Sequence, residues 1–124
     1  MEKIIKIGDN EIKMKATAGT LMRYRNNFGK DFIKDLQALQ KKLNEKLENG
    51  AEFEALDLEM FEQIAWCMAK TADNNVPDIE HWLDNFDAFD IMTVLPEIMN
   101  LLVANMEQLS KKKLVEQQTE NNAT

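Results

Sequence analysis

The sequence has little of what most catalytic and metal sites need. Its 124 residues include one cysteine, Cys67, and one histidine, His81. A single cysteine excludes an intramolecular disulfide, and the Cys and His content is too low for a zinc quartet. Glycine-rich nucleotide loops and the signature motifs of hydrolases and metalloproteases are also missing from the sequence. We therefore expect a protein that is not an enzyme, with no cofactor and no metal.

The two residues that could carry chemistry both have more ordinary roles. His81 has Asp78 and Asp84 three residues to either side, but this spacing supplies too few ligands for a metal site. A hydrated histidine on a helix surface is the favoured interpretation. Cys67 lies in the most apolar part of a predicted helix, where a thiol usually packs as a small hydrophobic group. We predict no catalytic residue.

Basic residues are in the minority, at 15 Lys and Arg against 22 Asp and Glu, for a formal net charge of −7. Such a chain repels a phosphate backbone unless its basic residues are segregated, and only Lys111 to Lys113 form a run. We expect no nucleic-acid partner. The longest apolar run, residues 64–69, is too short to cross a bilayer, and no apolar segment follows Met1. We therefore expect a cytoplasmic protein without membrane contact.

Alternation with a period of two is confined to the N-terminal segment and predicts a β-hairpin over residues 3–15. Its alternating apolar residues are Ile5, Ile7, Ile12 and Met14. The sequence Gly8-Asp9-Asn10 between them supplies turn residues. Because a lone hairpin is marginally stable in water, helices must cover its apolar face.

The segment TAGTLMRYRNNFG, residues 17–29, predicts a short helix with Thr17 as N-cap and Gly29 as C-cap. We expect Gly19 to permit a close approach to neighbouring elements and Arg23 to pair with a carboxylate. The apolar face should pack between the hairpin and the helical body. Its residues are Leu21, Tyr24 and Phe28.

Two longer helices are predicted next. Asp31 begins the first, whose apolar stripe runs from Phe32 to Leu47 before Asn49-Gly50 ends it. Asp57 is predicted to cap the second, with Leu56 and Phe61 forming a hydrophobic staple. This helix extends to about Ala72 and should be the most central, because IAWCMA makes it apolar on nearly all sides.

Two further helices complete the prediction. Asp78 begins a short helix that holds Trp82 and Phe86, and Asp90 begins the last helix. Pro96 in the last helix requires either a kink or a start near Thr93. The fold class is mostly α (α+β), a hairpin on a bundle of about five helices, with one domain over residues 1–109 and a flexible tail over 110–124. The predicted structural core includes Leu21, Tyr24, Phe28, Phe61, Ile64, Trp66 and Trp82.

Methionine is abundant, with eight in the chain, and three of them are spaced along one face of the last helix. They are Met92, Met99 and Met106. Core packing is the ordinary role of such a stripe. As an exposed surface, these three methionines would be the candidate partner-binding residues, because thioether side chains adapt to different partners.

Two motifs of the chain are distinctive, the first in residues 17–36 and the second in residues 64–83. Their residues are Thr17, Ala18, Gly19, Leu21, Arg23, Tyr24, Arg25, Phe28, Gly29, Asp31 and Leu36, then Ile64, Ala65, Trp66, Ala69, Trp82 and Leu83. Together these motifs resemble a known family, the tail assembly chaperones of long-tailed phages and prophages of Gram-positive bacteria. The resemblance covers roughly residues 3–109.

The resemblance implies a role without catalysis. Proteins of this family are thought to coat the tape measure protein, keep it soluble and help recruit tail tube subunits. It further implies location in the host bacterial cytoplasm and absence from the mature virion. Self-association is plausible for a chaperone with exposed apolar stripes.

A second class of function is compatible with the composition. A small acidic cytoplasmic adaptor or inhibitor would bind a basic protein partner through its negative surface. Strong salt dependence of binding to a basic partner would favour this alternative, whereas capture of a long helical phage protein would favour the chaperone.

Overall fold

The computed structural model describes residues 2–102, and Met1 and residues 103–124 lie outside this part. A two-stranded antiparallel hairpin precedes five helices, which confirms the predicted mostly α (α+β) fold with an N-terminal hairpin packed on helices. The elements are β1 (Glu2–Ile7), β2 (Asn10–Lys15), α1 (Ala18–Phe28), α2 (Phe32–Asn49), α3 (Ala55–Ala72), α4 (Ile79–Leu83) and α5, whose described part covers residues 91–102.

The hairpin forms as its alternation predicts. Ile5 pairs with Ile12 and Ile7 with Asn10 across the two strands. Gly8 in the turn has a φ of 62°, a conformation that glycine adopts without a steric penalty. Ile5, Ile7 and Met14 are buried, and β2 packs against α3. The helical body therefore covers the apolar face of a sheet that would be unstable alone.

Local signals define both ends of α1. Thr17 is the N-cap, and Gly29 ends the helix with a φ of 66°. Tyr24 is fully buried, whereas Leu21 and Phe28 are partly buried against the core. The expectation for Gly19 is wrong. Gly19 is exposed, and an added Cβ would meet only the Oγ1 of Thr17, at 3.4 Å.

Helix α2 begins where predicted, because an Asp31 carboxylate oxygen accepts the Lys34 N–H at 3.1 Å. Its buried stripe is shorter than predicted and consists of Phe32, Leu36, Leu39 and Leu43. Leu47 is 69% exposed. None of residues 44–50 is buried, so the C-terminal turns of α2 extend beyond the core and leave Leu47 at the surface.

Helix α3 starts earlier than predicted. Glu54 is its N-cap, and Asp57 lies one turn into the helix, where its carboxylate accepts the Glu54 N–H at 2.8 Å. The predicted hydrophobic staple is wrong, because Leu56 is 68% exposed while Phe61 is buried. Residues 63–69 are all buried, so α3 is the central helix, as its apolar sequence predicts.

The chain after α3 is held by side-chain contacts to its backbone. The Lys70 ammonium donates to the carbonyls of Asn74 and Val76, and the Trp66 indole N–H donates to the Pro77 carbonyl at 2.8 Å. Helix α4 then begins after Asp78, as predicted. Trp82 is buried. Phe86 follows α4 and packs edge-on against Trp82, with ring centroids 5.0 Å apart.

Helix α5 begins at residue 91, so the alternative start near Thr93 is wrong and Pro96 lies inside the helix. Asp90 precedes α5 and accepts hydrogen bonds from the Met92 N–H and the Thr93 hydroxyl. The Lys3 ammonium pairs with the Glu97 carboxylate and thereby connects β1 to α5. Within residues 2–102, no helix combines the length and apolarity needed to cross a membrane.

Candidate functional site

An open groove of about 660 Å³ lies along the outward face of α1 and the start of α2. This volume is in the range of protein sites that bind ligands or side chains of a partner. The groove is lined by Ala18, Leu21, Met22, Arg25, Gly29, Lys30, Asp31, Phe32 and Ile33.

Helical spacing and a short corner together produce the groove. Each of residues 18, 21, 22, 25 and 29 lies three or four positions from another member of this set, so they share one face of α1 and its C-cap. Helix α1 ends at Phe28 and α2 begins at Phe32, so only three residues separate the helices. The positive φ of Gly29 allows the chain to turn there. The start of α2 consequently forms the second wall.

The apolar part of the groove lining is accessible. Met22 is 66% exposed, Leu21 and Ile33 are partly buried, and Phe32 is buried. An exposed Met beside partly buried apolar side chains offers a surface that a partner can cover without first displacing a core residue. The sequence pattern of α1 predicts a structural role alone and gives no sign of this outward face.

Positive charge borders the groove. Arg25 is exposed, and the Lys30 ammonium donates to the amide oxygen of Gln63 at 3.2 Å. Among residues 2–102, neither Arg25 nor Lys30 has a carboxylate oxygen within 4.0 Å. Asp31 also lines the groove, but its carboxylate caps α2. The two basic groups therefore have no ion-pair partner in the described part of the chain.

Tyr24 connects the two walls from behind. Its hydroxyl donates to an Asp35 carboxylate oxygen at 2.6 Å, and its ring packs edge-on against Phe32 with centroids 5.4 Å apart. Burial raises the pKa of Tyr24, and the hydrogen bond to Asp35 raises it further. The phenol therefore remains protonated and able to donate. This contact fixes α1 relative to the first turn of α2.

A second polar contact anchors α1 to α3. The Thr71 hydroxyl donates to the Cys67 carbonyl at 2.7 Å and accepts from Arg23 Nη1 at 2.8 Å. The Thr20 hydroxyl lies 3.0 Å from the Thr71 oxygen, and it accepts the Thr17 N–H. Among residues 2–102, the expected pairing of Arg23 with a carboxylate is not found. A threonine hydroxyl takes that place because Arg23 points toward the α1–α3 contact.

The sequence around α1 also has a local charge pattern, of which only Arg25 and Lys30 line the groove. Residues 12–30 contain five basic residues and none of the 22 acidic residues, which contradicts the view that only residues 111–113 form a segregated basic run. A scan of charge in short windows would have found this segment. Its basic residues are Lys13, Lys15, Arg23, Arg25 and Lys30.

The structure describes two of the three methionines predicted as a partner surface, and these two differ in exposure. Met92 is 36% exposed, Met99 is 6% exposed and packs in the core, and Met106 lies outside the described residues. Leu95 and Leu102, which share the predicted rhythm, are also buried. The inward orientation of this face explains why Met99 is not available to a partner.

The remaining candidate residues have positions that suit structural roles. His81 is exposed, and its Nδ1 lies 2.6 Å from an Asp78 carboxylate oxygen, a hydrogen bond that raises the pKa of His81. Burial raises the pKa of Cys67 to about 12, which leaves the thiol protonated at neutral pH. In the part of the chain that the structure describes, no three His, Cys, Asp or Glu residues are grouped to hold a metal.

Comparison with known proteins gives no relative: no family model, curated protein or solved structure matches this chain. The residues that carry the family resemblance can still be located in the fold. Ala18, Leu21, Arg25, Gly29 and Asp31 line the groove. Two other residues of the same motif, Tyr24 and Leu36, are buried in the core. The first motif thus includes both the groove and its internal support.

Proposed function

We propose that this protein is a phage tail assembly chaperone, a non-enzymatic protein that binds the tape measure protein and helps recruit tail tube subunits. In this proposal it acts in the cytoplasm of the host bacterium and is absent from the mature virion. The observation that supports the proposal is the α1–α2 groove, an accessible surface of apolar and charged side chains, whose lining includes five residues of the motif that resembles this family.

The arrangement of the groove suits a chaperone that must hold a client and later release it. Tyr24 and Thr71 anchor α1 from the inside, so the outward face exists before a client arrives. A preformed surface avoids part of the entropic cost of ordering side chains on binding. The formal charge of −7 keeps a complex with an apolar client soluble.

Coexpression with the tape measure protein of the same phage tests the proposal. The tape measure protein is expressed alone, with the full-length chain, and with the Met22→Glu or Leu47→Glu variant. Met22 and Leu47 are 66% and 69% exposed, so both changes place a carboxylate on an accessible apolar position at little cost in stability. Only Met22 lines the groove.

We expect the wild-type chain and Leu47→Glu to keep the tape measure protein in the soluble fraction and to be recovered with it. Met22→Glu should lower recovery about tenfold, because it replaces the exposed apolar contact of the groove with a carboxylate that a bound client would have to desolvate. A tape measure protein that stays insoluble and unbound with the wild-type chain would refute the chaperone function. Equal recovery with both variants would instead exclude the groove as its binding site.

A further inference from the structure

We infer that the α1–α2 groove binds an amphipathic helix that carries acidic residues beside its apolar stripe. The inference rests on the proposed function, since it specifies the chemistry of the client segment. It draws on three features of the groove: its lining by side chains, its length, and the local charge.

The lining favours a helix over an extended segment. The residues that form the groove belong to α1, α2 and their connection, and none of them belongs to β1 or β2. An extended peptide would therefore find no strand edge here to pair with its backbone N–H and C=O groups, and burying those groups unpaired is costly. A helical segment satisfies its own backbone and contacts the groove through side chains alone.

The length of α1, which forms one wall of the groove, limits the length of partner helix that can bind along it. Helix α1 has 11 residues, which corresponds to about 16 Å at the rise of an α-helix. About three turns of a partner helix fit along it, enough for apolar residues at positions i, i+4 and i+7. Met22 is the exposed apolar contact, with Leu21 and Ile33 beneath it.

The charge of the groove lining determines which charged residues are favoured on the partner helix, beside its apolar stripe. The groove is lined by two cations, Arg25 and Lys30, and by one carboxylate, Asp31, which caps α2 by accepting the Lys34 N–H. Among residues 2–102, Arg25 and Lys30 have no carboxylate oxygen within 4.0 Å, so the lining has an excess of positive charge on a chain whose formal net charge is −7. Acidic residues on a partner helix are therefore favoured beside Arg25 and Lys30.

Two synthetic peptides of about 18 residues, long enough to form helix, test the inference. Both carry the same leucine stripe, and glutamates flank it in one peptide while lysines flank it in the other. Net charge alone predicts that the lysine peptide binds better to a chain of charge −7. The groove predicts the opposite preference, so the two explanations give results of different sign.

Binding is measured at the groove itself with full-length chains that carry a photo-crosslinking amino acid in place of Met22 or of Leu47. At low salt we expect crosslinking at position 22 to require about five- to tenfold less glutamate peptide than lysine peptide, with the difference shrinking as salt screens it. Position 47 should show no such preference for glutamate. Arg25→Glu should remove the preference at position 22, whereas Lys41→Glu, an exposed charge change on α2 away from the groove, should leave it within about twofold.

Every other result overturns the inference. Equal or stronger crosslinking of the lysine peptide at position 22 would show that Arg25 and Lys30 do not select the partner. A crosslink from position 22 to a second copy, in preference to the glutamate peptide, would make the groove a self-association surface. A crosslink to residues 103–124 of the same chain would show that the chain covers its own groove.

The inference and the proposed function can fail separately. If the glutamate peptide is preferred but the tape measure protein is not captured, the groove chemistry stands and the chaperone function does not. If the tape measure protein is captured equally well by wild type and Arg25→Glu, the chaperone function stands and the acidic-helix inference does not.

Discussion

The two faces of α1 differ in almost every property although they belong to one 11-residue helix. The inward face holds Thr20 and Tyr24, both fully buried and both hydrogen-bonded to side chains of other helices. The outward face holds Met22, at 66% exposed, and Arg25, which has no ion-pair partner among residues 2–102. The inward face is held by hydrogen bonds to α2 and α3, and the outward face is exposed.

This difference shows how a small domain can present an apolar surface without losing its own packing. The buried contacts that hold α1 in place lie on its inward face, so the groove on the outward face does not have to be part of the core. Changes on the inward face should therefore cost stability, whereas changes on the outward face should cost binding. The following predictions test this separation, in order of decreasing effect on the free energy of unfolding.

The largest effect is expected from Tyr24→Ala on the inward face. The substitution removes a fully buried ring, its hydrogen bond to Asp35, and its contacts with Phe28 and Phe32. We expect a loss of about 3–5 kcal/mol in the free energy of unfolding, measured by urea denaturation.

Met22→Ala is the matched control, since Met22 lies two residues away on the same helix and is mostly exposed. Its effect should stay within about 0.5 kcal/mol. If Met22→Ala destabilised the protein as much as Tyr24→Ala, the outward face would be a structural contact and its assignment as a docking surface would be wrong.

A smaller effect is expected from Thr71→Val, which preserves shape but removes the hydroxyl that joins α1 to α3. Arg23 and Thr20 each lose a hydrogen-bonding partner. Because Arg23 is partly exposed and can turn toward water, we expect a loss of about 1–2 kcal/mol. Urea denaturation of Thr71→Val, Arg23→Met and the double variant measures the coupling between the two residues.

In that cycle the double variant should be more stable than the sum of the single effects implies, by about 0.5–1.5 kcal/mol, because both single variants break the same contact. Strictly additive effects would mean that the Arg23–Thr71 hydrogen bond contributes nothing to the anchoring of α1, and Tyr24 would then be its main support.

Structural features that depend on short segments of sequence could be predicted. The hairpin follows from alternation and a Gly-containing turn, and the ends of α1 follow from Thr17 and Gly29. The central position of α3 follows from its apolar run. These signals are local, so they survive the change from an isolated segment to the folded protein.

Features that depend on neighbouring elements could not be predicted in the same way. Leu47 fits the apolar rhythm of α2, but whether it is buried depends on where the adjacent helices end. Met99 is likewise an apolar residue whose face is decided by packing. Predicting the groove requires knowledge of how α1 and α2 meet at Gly29. Its basic border, by contrast, corresponds to a local signal, the absence of acidic residues from residues 12–30.

The smallest effect on stability is expected from Met22→Cys, which places a thiol on the outward face of α1. This thiol should differ greatly in reactivity from Cys67, the thiol in the core. Burial raises the pKa of Cys67 from its ordinary 9.0 to about 12. At pH 8 this shift alone lowers its thiolate fraction about a thousandfold, and only the thiolate reacts with alkylating reagents. Cys67 is also fully buried, so reagent access requires opening of the fold.

In Met22→Cys the new thiol should be alkylated rapidly at pH 8 while Cys67 stays unmodified in the same molecules, as read by peptide mass spectrometry after a short pulse. The free energy of unfolding should change by no more than about 0.5 kcal/mol, because Met22 is mostly exposed. The raised pKa also means that the folded state holds the Cys67 proton more tightly than the unfolded state. Its contribution to stability is therefore complete below about pH 9 and declines as the pH rises toward 12. Equal labelling of the two thiols in the folded protein would show that the core around α3 is as accessible as the groove, and the contrast between the outward face of α1 and the core would then not describe the molecule in solution.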